Sequence, residues 1–551
     1  MSETTKTMMR SSAVMATGTV VSRVTGIGRD IAAAAALGFY LVSDAYSLGN
    51  SLPNIVYILI IGGALNAVFI PQLVRHMKDD ADGGHAYSDR LLTLVGITLL
   101  LFSVIAVLCA PLLVDLYTPA DYPQQEFDLA VAFARLCLPQ IFFYGVYTML
   151  SQILNARGHF GLPMFAPIAN NIIAIATFIL FIVVAGTSAA SDGMLTNNQI
   201  LILGIGTTLG VIAQAFILIP VLFKHGYRFK PRFDWRGNGL GKAGSLAMWT
   251  IALVVVNQVT NIIVTRLAAQ ANVNAANAGE TAAGLTTYQK AHLVFMLPHS
   301  VITISIITAM LPSLSRLAHD GRLHDVGREV SSTMRIIVAV IAPITAILFV
   351  LGADIAVLLF GYGAATPEQA SIMGRIVSVF MIGLVPFTLF YVILRGFYAL
   401  EDTKTPFFIT VGFSIAWMVM AIPLFNWVEG DGQQVASLAL TYGLSYWIGL
   451  AFAWFFLARK LGGMRSGATA WSLTRIFVAA LLALLAMYVT RWLLGSQGYN
   501  PGLESRGNVI IDVLVMAPIG IVAYLVAAYV LRVHELRTAT TLIKKKVLRR
   551  S

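Results

Sequence analysis

Residues 91–114 read LLTLVGITLLLFSVIAVLCAPLLV, from Leu91 to Val114, without a single charged side chain. A helix that crosses a bilayer needs about 20 predominantly apolar residues, so this run reads as one complete passage through a membrane. Working outward from it, the chain offers about fourteen such runs, near 10–37, 43–74, 90–116, 126–156, 160–186, 198–223, 240–270, 284–315, 328–360, 370–400, 405–426, 433–459, 470–495 and 507–532. The predicted fold class is therefore an all-α polytopic membrane protein.

Composition agrees. The 551 residues are 58% hydrophobic and only 11% charged, with a mean hydropathy of +0.78, whereas a soluble domain carries roughly 25% charge. The net charge of +11 is scattered between apolar runs and forms no patch of nucleic-acid size, so its expected partner is the anionic headgroup of membrane lipids and not a nucleic acid. Cys109 and Cys137 both lie in apolar stretches, where cysteine behaves as a small hydrophobe, so no disulfide framework or zinc motif is expected. Met1–Arg10 is short and polar, and no small-residue cleavage site follows it, so the first run reads as a retained helix.

Lys and Arg resist translocation and mark cytoplasmic loops. Arg75, Lys78 and Arg90, the set from Lys224 to Lys242, Arg316, Arg322 and Arg328, and Arg459, Lys460 and Arg465 all fall on one side of a fourteen-span path. The opposite connections, 117–125, 187–197, 271–283, 361–369 and 427–432, contain no Lys or Arg. With an even number of spans both termini are expected in the cytoplasm, which suits Lys544–Lys546, Arg549 and Arg550.

Two signatures recur. Asn155-Ala156 followed by Pro163-Met164-Phe165 matches Tyr398-Ala399 followed by Pro406-Phe407-Phe408, 243 residues on, and Leu52-Pro53-Asn54 matches Leu297-Pro298-His299 at 245. Pro71 then follows Pro53 as Pro312 follows Pro298. Leu-Pro and Pro-Phe are common in membrane helices, so chance is the competing account. A true repeat separates two units of six helices, an even number, related by an axis along the membrane normal. The predicted domains are lobes at 10–224 and 239–461, a helix pair at 470–533 and a basic tail at 534–551.

Ionisable side chains at membrane depth are costly and mark candidate sites. The first helix holds Arg23, Arg29 and Asp30 around Gly26 and Gly28, and Asp44 follows close by. Arg23 and Arg29 lie roughly 120° apart on an ideal helix, so the glycines are expected to loosen the helix and turn both guanidinia to one cavity. The alternatives are an internal Arg23–Asp30 pair, or Arg29 reaching the outer interface. Asn50, Asn54, Tyr57 and Asn66 on the second helix, and Asn257, Gln258 and Asn261 on the seventh, read first as interhelical glue, but Arg266 turns the seventh helix towards a cavity. Lys290 opens the eighth, beside the weaker candidates His292 and His299. A cationic set of this kind suits a phosphorylated anion, because a guanidinium fork matches phosphate oxygens. No phosphate-cradling Gly-Lys-Ser/Thr loop, metal-ligand cluster or nucleophile elbow is present, so neither cofactor, metal nor catalytic reaction is expected.

The run Ser22–Asp30, Ser43-Asp44-Ala45, Leu52-Pro53-Asn54, Asn66–Pro71, Leu311–Ser315 and Gly396–Ala399 through Asp402–Pro406 together resemble the MurJ/MviN family across essentially the whole chain. The resemblance implies a lipid II flippase of the bacterial cytoplasmic membrane, in the superfamily of multidrug and polysaccharide exporters. It implies two six-helix lobes around a cavity lined by helices one, two, seven and eight, and a final helix pair forming a groove for the polyprenyl tail. Its expected partners are lipid II, membrane lipids and a coupling ion. The family's first-helix arginines fall on Arg23 and Arg29 and its second-helix acid on Asp44. Where many members carry an Arg and an acid after Leu-Pro-Asn, this chain has Tyr57 and Gly62. Where they carry an Arg at the start of the eighth helix it offers Lys290 or His292, with Arg266 as a replacement charge. The rival functions are another polyprenyl-linked polysaccharide or drug exporter, for which an anionic cavity would speak, and a membrane glycosyltransferase, for which a sizeable outer loop would be needed.

Overall fold

In the computed structural model, residues 3–62, 76, 82–159, 161–224, 226–234, 244–464, 466–496 and 506–536 are described. They are helical with no β-strand among them. The helices are α1 (Glu3–Leu37), α2 (Leu41–Tyr57), α3 (His85–Leu108), α4 (Ala110–Tyr117), α5 (Gln124–Cys137), α6 (Gln140–Ala156), α7 (Gly161–Ala185), α8 (Asn197–Phe216) and α9 (Ile219–Lys224). There follow α10 (Gly244–Ala278), α11 (Leu285–Pro298), α12 (Ile304–His319), α13 (Leu323–Phe360), α14 (Pro367–Ala399), α15 (Lys404–Trp427), α16 (Gln433–Lys460), α17 (Ser466–Ser496) and α18 (Arg506–Val530).

Twelve spans among the described residues are long and apolar enough to cross a membrane, beginning at His85 and ending at Val530. They coincide in order with the third to fourteenth apolar runs of the sequence. The first two runs are α1 and α2, and α2 continues into a π-helical turn at Ile58–Gly62. Asn66, Pro71, Arg75 and Lys78, and the tail beyond residue 536, lie outside the described residues. Helices are the natural answer to these runs, because hydrocarbon offers backbone amides no partner and every one must be satisfied within its own segment. Leu108, Val183, Trp427 and Trp492 stand exposed on the helix flanks, as side chains bathed in lipid do.

The chain forms two compact units. One comprises Met1–Asn274, Gly284–Thr286 and Tyr362–Ala365, the other Ala275–Ala283, Thr287–Gly361 and Thr366–Ser551. In the first, α1 lies along α7, α7 along α8 and α2 along α5. A Cβ on Gly49 of α2 would fall 2.7 Å from Phe133 Cβ and 2.8 Å from the Ala134 amide of α5, so a glycine is what lets these two backbones touch. In the second unit α14 is sandwiched by α13 and α16. There a Cβ on Gly383 would sit 2.6 Å from the Cα of Gly443. The final pair, α17 and α18, packs on α13 around Ala346, Val350, Leu351, Met487 and Met516.

The repeat is visible in the element boundaries. Gln124–Ala156 and Pro367–Ala399 are both spans of 33 residues, and both ends of the second lie 243 residues after those of the first. The next helices, α7 and α15, begin at Gly161 and Lys404, again 243 apart. Each Leu-Pro signature precedes a π-helical turn, Ile58–Gly62 after Pro53 and His299–Thr303 after Pro298. Proline removes a hydrogen-bond donor and crowds the preceding turn, and a wide turn nearby is how such a helix reseats its ladder.

Candidate functional site

One set of polar groups in the first unit belongs to α1. This helix runs unbroken through Gly26 and Gly28, with Arg23 and Arg29 six positions apart on it. Arg29 is held by its neighbour: its Nη2 donates to Asp30 Oδ2 at 3.2 Å, and its Nη1 reaches Asn171 Oδ1 of α7 at 3.5 Å. Asp30 is 5% exposed, whereas 36% of the Arg29 side chain remains open. Arg23 is exposed. The guanidinium of Arg29 is thus tethered at its base with part of its donor fork still accessible.

Asn171 does more than meet Arg29. Its Nδ2 donates to the Ser22 carbonyl at 3.1 Å and to Thr25 Oγ1 at 3.0 Å, so one buried amide stitches two turns of α1 to α7. The sequence places Asn170-Asn171 in a long apolar run, which was the available sign of a buried polar contact.

Asp44 takes a different place from a cavity wall. It is 1% exposed, and its carboxylate is saturated: Oδ2 accepts from Asn272 Nδ2 at 2.8 Å and from the Leu285 amide at 2.9 Å, and Oδ1 accepts from the Thr286 amide at 2.7 Å. Leu285 and Thr286 are the first two residues of α11, whose leading amides have no partner within the helix. A carboxylate carried by α2 therefore caps the start of α11, where the helix dipole favours negative charge. Ser43 and Ser47 add contacts to Thr286 Oγ1 at 3.2 and 2.9 Å. Gly284 completes the fit, because a Cβ there would fall 2.2 Å from Asp44 Oδ2.

Further along α2, Asn54 is exposed and Tyr57 half-buried. The Tyr57 hydroxyl donates to Thr148 Oγ1 of α6 at 2.8 Å, with its ring tilted against Tyr144. Gln258 of α10 donates to the Ile55 carbonyl at 2.9 Å, just ahead of the π-helical turn, so this amide is interhelical glue. Arg266, half-buried, lies on α10 between Gln258 and Asn272. Lys290, also half-buried, belongs to the second unit.

In the second unit, α11 presents Tyr288, His292 and Phe295 at helical spacing to Phe380 and Tyr442, with Tyr446 packed against Tyr442. His292 Nε2 lies 3.3 Å from the Tyr442 hydroxyl, and His299 packs edge-on to Phe387 and Tyr391. These histidines are members of an aromatic core. Sequence reading missed that core, although the i, i+4, i+7 spacing of its α11 members marks one helix face. It also missed Arg491, whose Nη2 lies 3.1 Å from Asp354 and 2.8 Å from Asp512. No group of His, Cys, Asp and Glu suited to a metal ion occurs among the described residues.

A family model described as "Lipid II flippase MurJ" matches residues 33–501. A probable lipid II flippase MurJ of Buchnera aphidicola is 26% identical over 483 residues, covering 86% of this chain and 88% of that one. Among solved structures, the lipid II flippase MurJ in an inward closed conformation superposes with a TM-score of 0.71 at 19% identity, over 94% of this chain and 98% of the other. An inward-facing multidrug resistance MATE family transporter of the MOP superfamily gives 0.61 at 12% identity, over 81% and 95%. The two structural likenesses concern the fold.

Proposed function

The chain belongs to the MurJ lipid II flippase family, whose model spans residues 33–501 of it. From that premise we propose that it moves lipid II from the cytoplasmic to the outer leaflet by alternating access. The observation that carries this reading is the tethered, partly open guanidinium of Arg29 within an apolar helix bundle. A charged headgroup crosses hydrocarbon only along a charge-lined, hydrated path, because desolvating it alone is prohibitive.

In this proposal Arg29 and Arg23 meet the pyrophosphate, with Arg266 and Lys290 adding positive charge along the path. Asn54 and Tyr57 contribute polar contacts from α2. Asp30 orients Arg29, and Asp44 acts through the start of α11 without touching the cargo. The termini and the cation-rich connections face the cytoplasm, a reading supported by the positive-inside pattern. The helices α17 and α18 receive the polyprenyl tail, supported by their position outside the repeat.

The test is to deplete the protein in its host and label lipid II from outside with a membrane-impermeant reagent. Lipid II should become inaccessible as the protein is lost and accessible again when the protein is restored. Unchanged outer-leaflet lipid II after depletion overturns the proposal.

A further inference from the structure

A cavity lies in the first unit, with no residue of α1 or α2 in its lining. It has a volume of about 560 Å³ and is walled by α3, α6 and α9, with residues 227–233 closing one side. The closing segment has neither helical nor strand structure and reads Tyr227-Arg228-Phe229-Lys230-Pro231-Arg232-Phe233. Apolar and cationic residues alternate along it without a break. Tyr227, Phe229, Pro231 and Phe233 all line the cavity, the intervening positions are Arg228, Lys230 and Arg232, and every one of these residues except Tyr227 is exposed.

The strap is fixed along its length to one helix. The Tyr227 hydroxyl donates to Asp89 Oδ1 at 2.8 Å, the Arg232 amide donates to Thr93 Oγ1 at 3.1 Å, and Arg90 pairs with Asp234 at 2.5 Å. Arg157 lies over the Tyr227 ring, 4.8 Å from its centroid. These bonds also consume the side-chain hydroxyls of the cavity wall, because Thr93 Oγ1 donates in turn to the Asp89 carbonyl at 2.7 Å. What remains for a ligand is hydrocarbon surface. Ile97, Leu100 and Phe223 stand exposed at its edge, so the cavity is open to its lipid surroundings.

We propose that this cavity binds one acyl chain of an anionic phospholipid, whose phosphate rests against Arg228, Lys230 and Arg232. The volume falls in the range of roughly 300–1,000 Å³ usual for ligand pockets. An apolar cavity with no polar group to offer stays dry and takes an apolar guest. The charge complementarity fixes the headgroup: three exposed cations within five residues, on the strap that closes the cavity, attract the phosphates of an anionic leaflet. The inference stands apart from the flippase reading, since it uses none of the residues assigned to the cargo.

Gly96 gives a direct test. It lines the cavity, and a Cβ added to it would meet no atom within 4 Å, so Gly96→Phe fills the space while removing a helix-weakening glycine. Native mass spectrometry of the full chain in detergent, titrated with palmitoyl-oleoyl phosphatidylglycerol, should show one retained lipid on the parent and its loss in Gly96→Phe. If that variant does not accumulate, the smaller Gly96→Leu carries the same arm. The double variant Arg228→Gln/Lys230→Gln should keep a bound lipid but lose preference for phosphatidylglycerol over phosphatidylethanolamine, by about fivefold per cation. Equal retention of phosphatidylglycerol by the parent and both Gly96 variants overturns the proposal. So does a parent that holds both phospholipids equally, or one that retains undecaprenyl phosphate in preference to either.

Discussion

Asp44 and Asn272 stand 228 positions apart in the chain and meet through a 2.8 Å hydrogen bond, Nδ2 donating to Oδ2. The same carboxylate carries the first two amides of α11, so one buried acid joins α2, α10 and the start of the helix that also bears Lys290. A residue that looks like a ligand contact in the sequence is a buried joint between helices.

Asp44→Asn keeps the side chain's shape but turns one acceptor into a donor facing donors. A hydrogen bond to a charged group contributes roughly 1.5–3 kcal/mol, and at least one is lost. The variant should melt at a lower temperature in detergent and accumulate less in membranes. Parent-like melting would remove the joint from the account.

Gly284→Ala probes the same place without touching a charge. Its Cβ would fall 2.2 Å from Asp44 Oδ2 and 2.4 Å from Asn272 Cβ, and overpacking of this kind costs about 1–3 kcal/mol. Gly279→Ala is a different case, strained by its φ of 69° but with no neighbouring atom within 4 Å. The Gly284 variant should be the more destabilised of the two in thermal unfolding.

Arg29→Lys retains the charge and loses the planar fork, so it should weaken lipid II binding, and Arg29→Ala should weaken it further, by roughly 1.5–3 kcal/mol for one charged hydrogen bond. Binding and protein abundance should be read on the same membranes. Weak binding at normal abundance supports a phosphate contact. Normal binding with low abundance supports a purely structural pair with Asp30.

Arg491 serves two acids, Asp354 and Asp512, whose side chains are 2% and 0% exposed. Arg491→Leu strands both carboxylates and should cost roughly 3–5 kcal/mol, the usual penalty for breaking a buried pair from one side. Asp512→Asn leaves Arg491 with Asp354 and should cost less. Chemical unfolding of the two variants gives the ranking directly.

Asp402 sits in the connection before α15. Burial works against its ionisation, but Lys460 at 2.6 Å and two bonds from Thr405 outweigh it, holding its pKa below the ordinary carboxylate value. A depressed folded-state pKa means that the stabilisation is present above the unfolded value and is lost as pH falls through the folded one. Lys460→Met should therefore lower stability at neutral pH and flatten its acid limb. An unchanged acid limb would assign the stabilisation elsewhere.

Hydropathy was enough to find the spans, because it is a property of each segment against its solvent. A run such as residues 91–114 must become a helix in lipid whatever its neighbours are, and matching boundaries 243 residues apart follow from matching local signals. The family was legible for the same reason, through short motifs in a fixed order. The uses of the polar residues were not. Asp44, Arg29 and Asp512 look alike in the sequence, each an ionisable group in an apolar run. Asp44 finds Asn272, Leu285 and Thr286, Arg29 finds Asn171, and Asp512 finds Arg491. Helical periodicity tells which face a side chain occupies, but its partner stands on another helix up to 242 positions away. Whether a charge is saturated or left open to a ligand is decided by that partner's distance, and only the packed tertiary structure sets it.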